Sequence, residues 1–487
     1  MLDWFLFLLI LFPLIIVLII SIIPTKFEKY LKFASTFAIS TNLLLLILIA
    51  QSISSKAIFV EISFLKLSIF IDKLSLVFTM LITISGILIS ISNIPRFEEE
   101  SNSKVKTTNL ILLYTGAIYL CVAGDVLSLL IASVLITSSI FISLITGKKI
   151  RAIETGFRYL FIGIISMILL ITSAALIYKI TGASNIFEIA NAFTTTSLKL
   201  KIFPFVLLLS GIILQSGIFP FSTIMSDIHY ELPEILTPLI PPIITGTQIY
   251  IITRLAASIF NFKTFLPYLA LISILTIIFS EILALLEKDI KKILIHSIYG
   301  EMGLVLLSFS VFSIESISSS LLILTNSTVA LTAMFLINNS IAYSNNNSSV
   351  TIKNKTHWKI LTFFFLISIL SITGFPPFIG FFAKFGVLLS LLSKPHWKMV
   401  LFTAIIIFMA ISEGIYLMRI LGKFLKATEE KANEDWYSII PIIIFGTLIL
   451  TLSLLFNPLT NFTKNASLEL IQGFKYLHIT FSKGIIP

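Results

Sequence analysis

The 487 residues are 57% hydrophobic and only 12% charged, where a soluble globular chain carries about 25% charged residues, so a single water-facing core is excluded and lipid is required. The formal charge of +10 lies in short clusters between apolar runs, with no basic stripe interleaved with aromatics, which excludes nucleic acid as the partner. One cysteine, Cys121, can build neither a disulfide framework nor a four-cysteine iron–sulfur site within this chain.

Apolar runs of roughly 18 to 25 residues recur along the chain, each long enough to cross the hydrocarbon layer as a helix. They predict an all-α membrane protein of about fourteen transmembrane helices. The spans are read near 4–23, 31–50, 72–94, 107–122, 124–146, 156–180, 203–222, 235–256, 264–286, 293–313, 317–343, 358–393, 398–421 and 437–456. The first, Trp4 to Ile23, has no basic segment before it and no small-residue cleavage site after it, so it reads as a span and not as a cleaved signal peptide. Ile58 to Asp72, with Glu61, Ser63, Lys66 and Ser68 among Phe, Val and Ile, predicts an outward-facing β-hairpin. Ser184 to Leu200 predicts a short surface helix, and the Asn-rich Asn345 to Lys355 a cytoplasmic loop.

Placing the N-terminus outside puts one set of alternate loops in the cytoplasm. They hold Lys26, Lys29 and Lys32; Arg96, Lys104 and Lys106; Lys148, Lys149, Arg151 and Arg158; Lys288, Lys291 and Lys292; Lys353, Lys355 and Lys359; and Arg419, Lys423, Lys426 and Lys431. That is 20 of the 34 basic residues, against 13 in the outward segments and Lys384 inside a helix. The bias predicts both termini outside.

Two spans share an interruption: Ser216-Gly217-Ile218-Phe219-Pro220-Phe221, and, 157 residues on, Thr373-Gly374-Phe375-Pro376-Pro377-Phe378. Proline removes a helical hydrogen bond, so each site should unwind a helix within the membrane. Paired breaks suggest an internal repeat and a transport pathway, since freed backbone groups and half-helix ends can face ions or water. The plainer reading is a pair of packing kinks.

At these residues the chain resembles the antiporter-like membrane subunits of respiratory complex I (chains L, M and N) and of Mrp-type cation/proton antiporters, particularly the D-type member of the latter. Ile218 to Pro233, with Phe219-Pro220-Phe221 and then Asp227, His229, Tyr230 and Pro233, is similar to Pro-Phe-His-x-Trp-Leu-Pro-Asp-Ala, although Ser222 replaces the histidine and the tryptophan is missing. Glu287 to Gly303 resembles Asp-x-Lys-Arg-x-Leu-Ala-Tyr-Ser-Ser-Ile-x-x-x-Gly, and Gly374 to Phe385 resembles Gly-x-Pro-Pro-x-x-Gly-Phe-x-x-Lys-Phe. With the hairpin and Met418-Arg419-Ile420, the resemblance runs in order along essentially the whole chain. It implies two inverted five-helix units, here 107–256 and 264–421, with the seventh and twelfth helices broken at Pro220 and at Pro376 and Pro377.

The resemblance also implies an ion path through a glutamate on the fifth helix, lysines on the seventh and eighth, and a lysine or glutamate on the twelfth. Here the glutamate position falls on Val134, or on Ser133 one register earlier. The seventh-helix lysine position is Gln215, and the eighth falls within Gly246-Thr247-Gln248. Gln215 and Gln248 are polar stand-ins whose amides bond water but do not change charge. Lys384 alone matches. A charge deep in a bilayer costs roughly 2.5 to 3.5 kcal/mol on insertion scales, which points to a pathway or a partner; snorkelling to the surface is the plainer alternative. Glu413 of the thirteenth span and Glu281 of the ninth are further candidates for the path, each able to pair with a lysine, and Glu301 extends the list from the tenth. Asp125 reads as a helix cap, and Glu287, Lys288, Asp289, Lys291 and Lys292 as a solvated cluster that sets topology.

No metal ligand set, nucleotide loop, cofactor site or self-contained catalytic site is legible. The expected function is a membrane subunit of a multisubunit proton/cation-translocating complex, of the Mrp or NADH:quinone oxidoreductase type, in a bacterial cytoplasmic membrane. Its partners would be other membrane subunits, the lipid bilayer, and protons with sodium as a candidate cargo. The alternative is a non-conducting structural or assembly subunit of such a complex, for which the missing glutamate and two lysines are the evidence.

Overall fold

A computed structural model describes residues 2–24, 31–52, 58–62, 67–95, 103–147, 149–258, 265–346, 355–392, 397–426 and 436–472. The chain is nearly all helical, with eighteen α-helices among the described residues. They are α1 (Leu2–Ile22), α2 (Ala34–Ser52), α3 (Lys73–Ser92), α4 (Ser103–Val122), α5 (Val126–Ile145), α6 (Ile150–Thr181), α7 (Ile186–Thr195), α8 (Leu198–Ser216) and α9 (Ser222–Glu231). The second half continues with α10 (Gly246–Ser258), α11 (Leu266–Leu286), α12 (Ile290–Ser310), α13 (Ile314–Asn346), α14 (Lys355–Thr373), α15 (Ile379–Leu392), α16 (Trp397–Lys426), α17 (Trp436–Leu454) and α18 (Phe456–Gln472).

Twelve of these helices are long and apolar enough to cross a membrane: α1 to α6, α8, α11 to α13, α16 and α17. The protein is an integral membrane protein. Its lipid-facing character is plain on α6, where Phe157, Phe161, Ile164, Ile168 and Ile171 recur at helical spacing on an exposed stripe. The membrane-length stretches of α12 and α13 are buried throughout, packed by α11, α9 and α16 on one side and by α14, α15, α17 and α18 on the other. Glu301, within that stretch of α12, therefore lies inside the protein and not against lipid, while Lys291 and Lys292 at the start of the helix are partly exposed.

The predicted hairpin forms: β1 (Ile58–Ile62) pairs antiparallel with β2 (Leu67–Ile71), Glu61 opposite Ser68. Asp125 holds it in place, accepting from the Ser68 backbone and hydroxyl while capping α5 through Ser128 N at 2.7 Å. Gly124 N donates to Ser68 O at 2.9 Å, an approach that a Cβ at Gly124 would obstruct at 2.8 Å from Ser68 Oγ. The surface helix predicted over 184–200 appears as α7, and its Phe187 packs edge-on to Phe59 and Phe70 of the hairpin at 5.2 and 4.9 Å.

Both proline segments interrupt their helices, in matching ways. α8 ends at Gly217 (φ 75°) and α14 at Gly374 (φ 76°), both left-handed, each followed by a cis proline bond, Phe219–Pro220 and Pro376–Pro377. Freed backbone groups find side chains, as a lipid environment demands. Phe219 N donates to Thr276 Oγ1 at 3.1 Å and Ile379 N to Ser453 Oγ at 2.9 Å. Asn326 Nδ2 donates to Ser371 O at 3.1 Å.

Several sequence expectations are adjusted. The span read at 203–222 starts earlier, at Leu198, and continues past its break as α9. The span read at 235–256 opens as a 3₁₀ turn (Thr237–Leu239) and a π-turn (Ile240–Thr245) before α10; the adjacent Pro241 and Pro242, lacking N–H groups, prevent regular α-helical bonding there. α18 follows the last predicted span and docks on α13 and α3, with Lys73 Nζ 2.7 Å from Glu469. Asn345 belongs to α13; the rest of the proposed polar loop, at 347–354, lies outside the described residues, as do Lys26, Lys29, Arg96, Lys148, Lys353 and Lys431.

Candidate functional site

Lys384 lies near the start of α15, two turns beyond the second break, and is only 6% exposed. Its ammonium is 2.9 Å from Glu301 on α12 and hydrogen-bonds Glu413 on α16. Both carboxylates are fully buried, so the lysine is enclosed between two anions and does not snorkel. The left-handed turn at Gly374 lies beside it, and even a Cβ there would meet Lys384 Cδ only at 3.4 Å, an ordinary contact.

Glu281 on α11 joins the group by another route. It accepts from Ser412, the neighbour of Glu413, and its Oε1 lies so close to Gly300 that a Cβ at that position would collide with it. Gly300 thus makes the space for one carboxylate immediately before Glu301 supplies the next. Four helices converge on one enclosed site holding three carboxyl groups and one ammonium. Among the described residues, Lys384 is the only cation paired with these carboxyl groups. Around it Tyr416 lies within reach of Ser297 and Glu281, and Glu413 within reach of Glu301, all of them buried. Buried polar groups of this density call for water or a bound proton.

The other candidates lie elsewhere. Gln215 is buried at the end of α8 and donates to Ser166 Oγ at 2.9 Å, and Ser166 donates in turn to Gly211 O at 2.7 Å. Gln248 is buried in the first turn of α10. Neither is bonded to the Lys384 group. Pro220, Pro376 and Pro377 sit in the two breaks described above.

A family of membrane segments, described as NADH:quinone oxidoreductase/Mrp antiporter, TM, matches residues 123–411, more than half of the chain. The chain belongs to this family. Among relatives, NADH-quinone oxidoreductase subunit N of Wolbachia sp. subsp. Brugia malayi is 25% identical over 392 residues, covering 79% of this chain and 82% of the relative. The D-type Na(+)/H(+) antiporter subunit of Bacillus subtilis is 23% identical over 327 residues, 65% of either chain. Among solved structures, a chain of the Mrp complex from a Dietzia species superposes with a TM-score of 0.85 at 14% identity, covering 98% of both chains. One from the membrane-bound sulfane sulfur reductase, an archaeal respiratory membrane complex, does so at 0.84 and 19%, covering 97% of this chain and 98% of the other. At these identities the superpositions establish the fold.

Within this antiporter-family fold, Ser133 is buried and bonds its own helix at Leu129 O, 2.9 Å away, while Val134 is 47% exposed on the outer surface. Either register leaves the fifth-helix position uncharged. Thr247 donates to Ile243 O of the π-turn that precedes α10.

Asp125 is the cap that the sequence suggests. Lys291 departs from the expected solvated cluster: its ammonium donates to Tyr230 O and, at 2.8 Å, to Leu232 O, pinning the end of α9 to α12. Sequence reasoning missed Arg254 of α10, which pairs with Asp72 at 2.8 Å with both side chains buried and stacks over Phe70 and Tyr250 at 4.8 and 5.7 Å. It lies near the end of the span read at 235–256, where a lone basic residue reads as a loop charge until its partner Asp72 is seen.

Proposed function

We propose that this chain is a membrane subunit of a multisubunit cation/proton-translocating complex, of the Mrp antiporter or NADH:quinone oxidoreductase kind, and that Lys384, Glu301, Glu413 and Glu281 form its proton-exchanging centre. The observation that carries the reading is the enclosure of Lys384 between Glu301 and Glu413, with Glu281 beside them. A buried ammonium facing more carboxyl groups than it can neutralise must hold protons or a small cation for charge to balance, which gives the site the groups that exchange needs. A shift of Lys384 from one carboxylate toward the other would pass a proton along the group. Sodium is the alternative cargo, supported by the antiporter relative.

The same reading takes the chain as fourteen transmembrane helices, with α8/α9 and α14/α15 as the broken seventh and twelfth. The matching left-handed glycines at the two breaks support inverted units at 107–256 and 264–421. Both termini outside a bacterial cytoplasmic membrane fits the bias of basic residues toward one set of alternate loops, where several cap helix ends. Lys104 donates to Ser21 O and Ile23 O at 2.8 and 3.0 Å, and Arg419 to Leu285 O and Glu287 O at 2.9 and 2.7 Å.

In vesicles containing the intact complex, Lys384→Ala is expected to abolish cation/proton exchange; an unchanged rate overturns the reading. The uncharged Ser133, Val134, Gln215 and Gln248 favour a second reading, a non-conducting assembly component. Under it the Lys384→Ala complex assembles and transports normally, while deletion of the chain dismantles the complex.

A further inference from the structure

α6 is longer than a bilayer needs. Its 32 residues rise about 48 Å, against a hydrocarbon layer of about 30 Å, so part of the helix stands at headgroup depth. Its first two turns carry the charges, with Arg151, Glu154 and Arg158 all exposed. Beyond them Phe161, Ile165 and Ile168 are exposed too, at steps of three, four and three residues from Arg158, which places them on its face of the helix. Arg158 therefore marks the junction between a polar helix end and an apolar stripe leading into the bilayer.

Beside this end, α9 contributes Asp227, Tyr230 and Glu231, and the two helices border a surface cleft of about 140 Å³. Charges of both signs line it. Arg151 Nε lies 3.2 Å from Glu231, and Arg158 Nη2 2.6 Å from Glu154. Asp227 is 3.2 Å from Lys292 of α12. Arg151 meets Glu231 through Nε, which leaves its two terminal amino groups for a further acceptor. Surface pairs of this kind hold weakly in water, so the guanidiniums can turn to another anion if the carboxylates find another cation.

We propose that this cleft binds the headgroup of phosphatidylethanolamine, a lipid that brings both charges at once. Its phosphate would take Arg151 and Arg158, its primary ammonium Glu154, Asp227 and Glu231, and an acyl chain would follow Phe161, Ile165 and Ile168. Charge and donor chemistry select this headgroup over others. The three carboxylates outnumber the two guanidiniums of the cleft, so a purely anionic headgroup meets no net positive charge there. An ammonium with three N–H groups can bond several carboxylates. The quaternary ammonium of choline cannot, and favours aromatic faces instead; the ring of Tyr230 is already faced by Lys291 and Lys292 at 5.3 and 5.5 Å.

Native mass spectrometry of the intact complex tests the site, after lipid is stripped in detergent and phosphatidylethanolamine, phosphatidylcholine or phosphatidylglycerol is added back. Phosphatidylethanolamine should occupy a site that Arg151→Gln combined with Arg158→Gln weakens at least about tenfold, and the other two lipids should compete poorly for it. Undiminished binding to the double variant, or preferred binding of phosphatidylglycerol at the site, overturns the proposal. A second measurement stands if the double variant fails to assemble. With Phe161 replaced by photoreactive benzoylphenylalanine, illumination in vesicles containing phosphatidylethanolamine should add the mass of one such lipid to this chain. Cross-linking to another protein subunit in its place would show that a protein covers the stripe, and would overturn the lipid site.

Discussion

The two helix breaks have nearly the same backbone and very different surroundings. At Gly217 the turn faces a tyrosine ring, and Gln215, two residues before it, is tied to a serine. At Gly374 the turn lies against a lysine held between two glutamates. Both breaks satisfy their freed backbone groups with neighbouring hydroxyls. The contrast separates two things that the shared motif runs together. A broken helix needs local hydrogen-bond partners, whereas a charge relay needs opposed ionisable groups on several helices. The first break has only the former beside it.

Perturbing the two halves should sharpen that contrast. The largest effect is expected from Lys384→Ala, which should eliminate exchange and, by leaving Glu301 and Glu413 without their cation, cost about 3–5 kcal/mol of stability. Pairing it with Glu301→Gln should recover protein yield without recovering exchange, read by detergent-extracted complex and vesicle transport together; recovered transport would place the relay elsewhere. Next, Glu301→Gln or Glu413→Gln alone should reduce exchange by about tenfold or more, because an amide cannot carry the proton. Gly300→Ala is expected to be milder, forcing Glu281 aside at about 1–3 kcal/mol, measurable as a lower melting temperature of the complex. Gln215→Ala should matter least, losing one hydrogen bond worth about 1 kcal/mol and leaving exchange within about twofold. A large loss there would restore an ionic role to the first half.

Much of the architecture is legible in the residues themselves. The hairpin is visible because Glu61, Lys66 and Ser68 interrupt apolar sequence too often for a span. The breaks are visible because proline lacks its donor, and Asp125 is visible as a cap because it precedes an apolar run. The site is only half legible. Lys384, Glu281, Glu301 and Glu413 each stand out as charges in apolar segments, but not their convergence. In water the apolar stripe of a helix marks its inward face; in lipid both faces are apolar, so the sequence of α11 or α16 does not declare which side meets α12. The four-residue spacing of Lys292, His296 and Gly300, with Ser297 and Glu301 beside it, is an available signal, since such a polar row on a span requires an enclosed helix. α18 escapes because its composition is too polar for a span, and the π-turn before α10 because adjacent prolines give no register.

Asp125 bears on how the protein is made. It joins Ser68 of the hairpin to the start of α5 across 57 residues, so the hairpin leaves the ribosome before its anchor exists. During synthesis β1 and β2 must wait, unsecured, while α3 and α4 are inserted. Only when Asp125 emerges can one carboxylate fasten the hairpin and begin the next helix together. The contact brings Ser68 and Asp125 to one face, which requires α3 and α4 to have crossed as a pair.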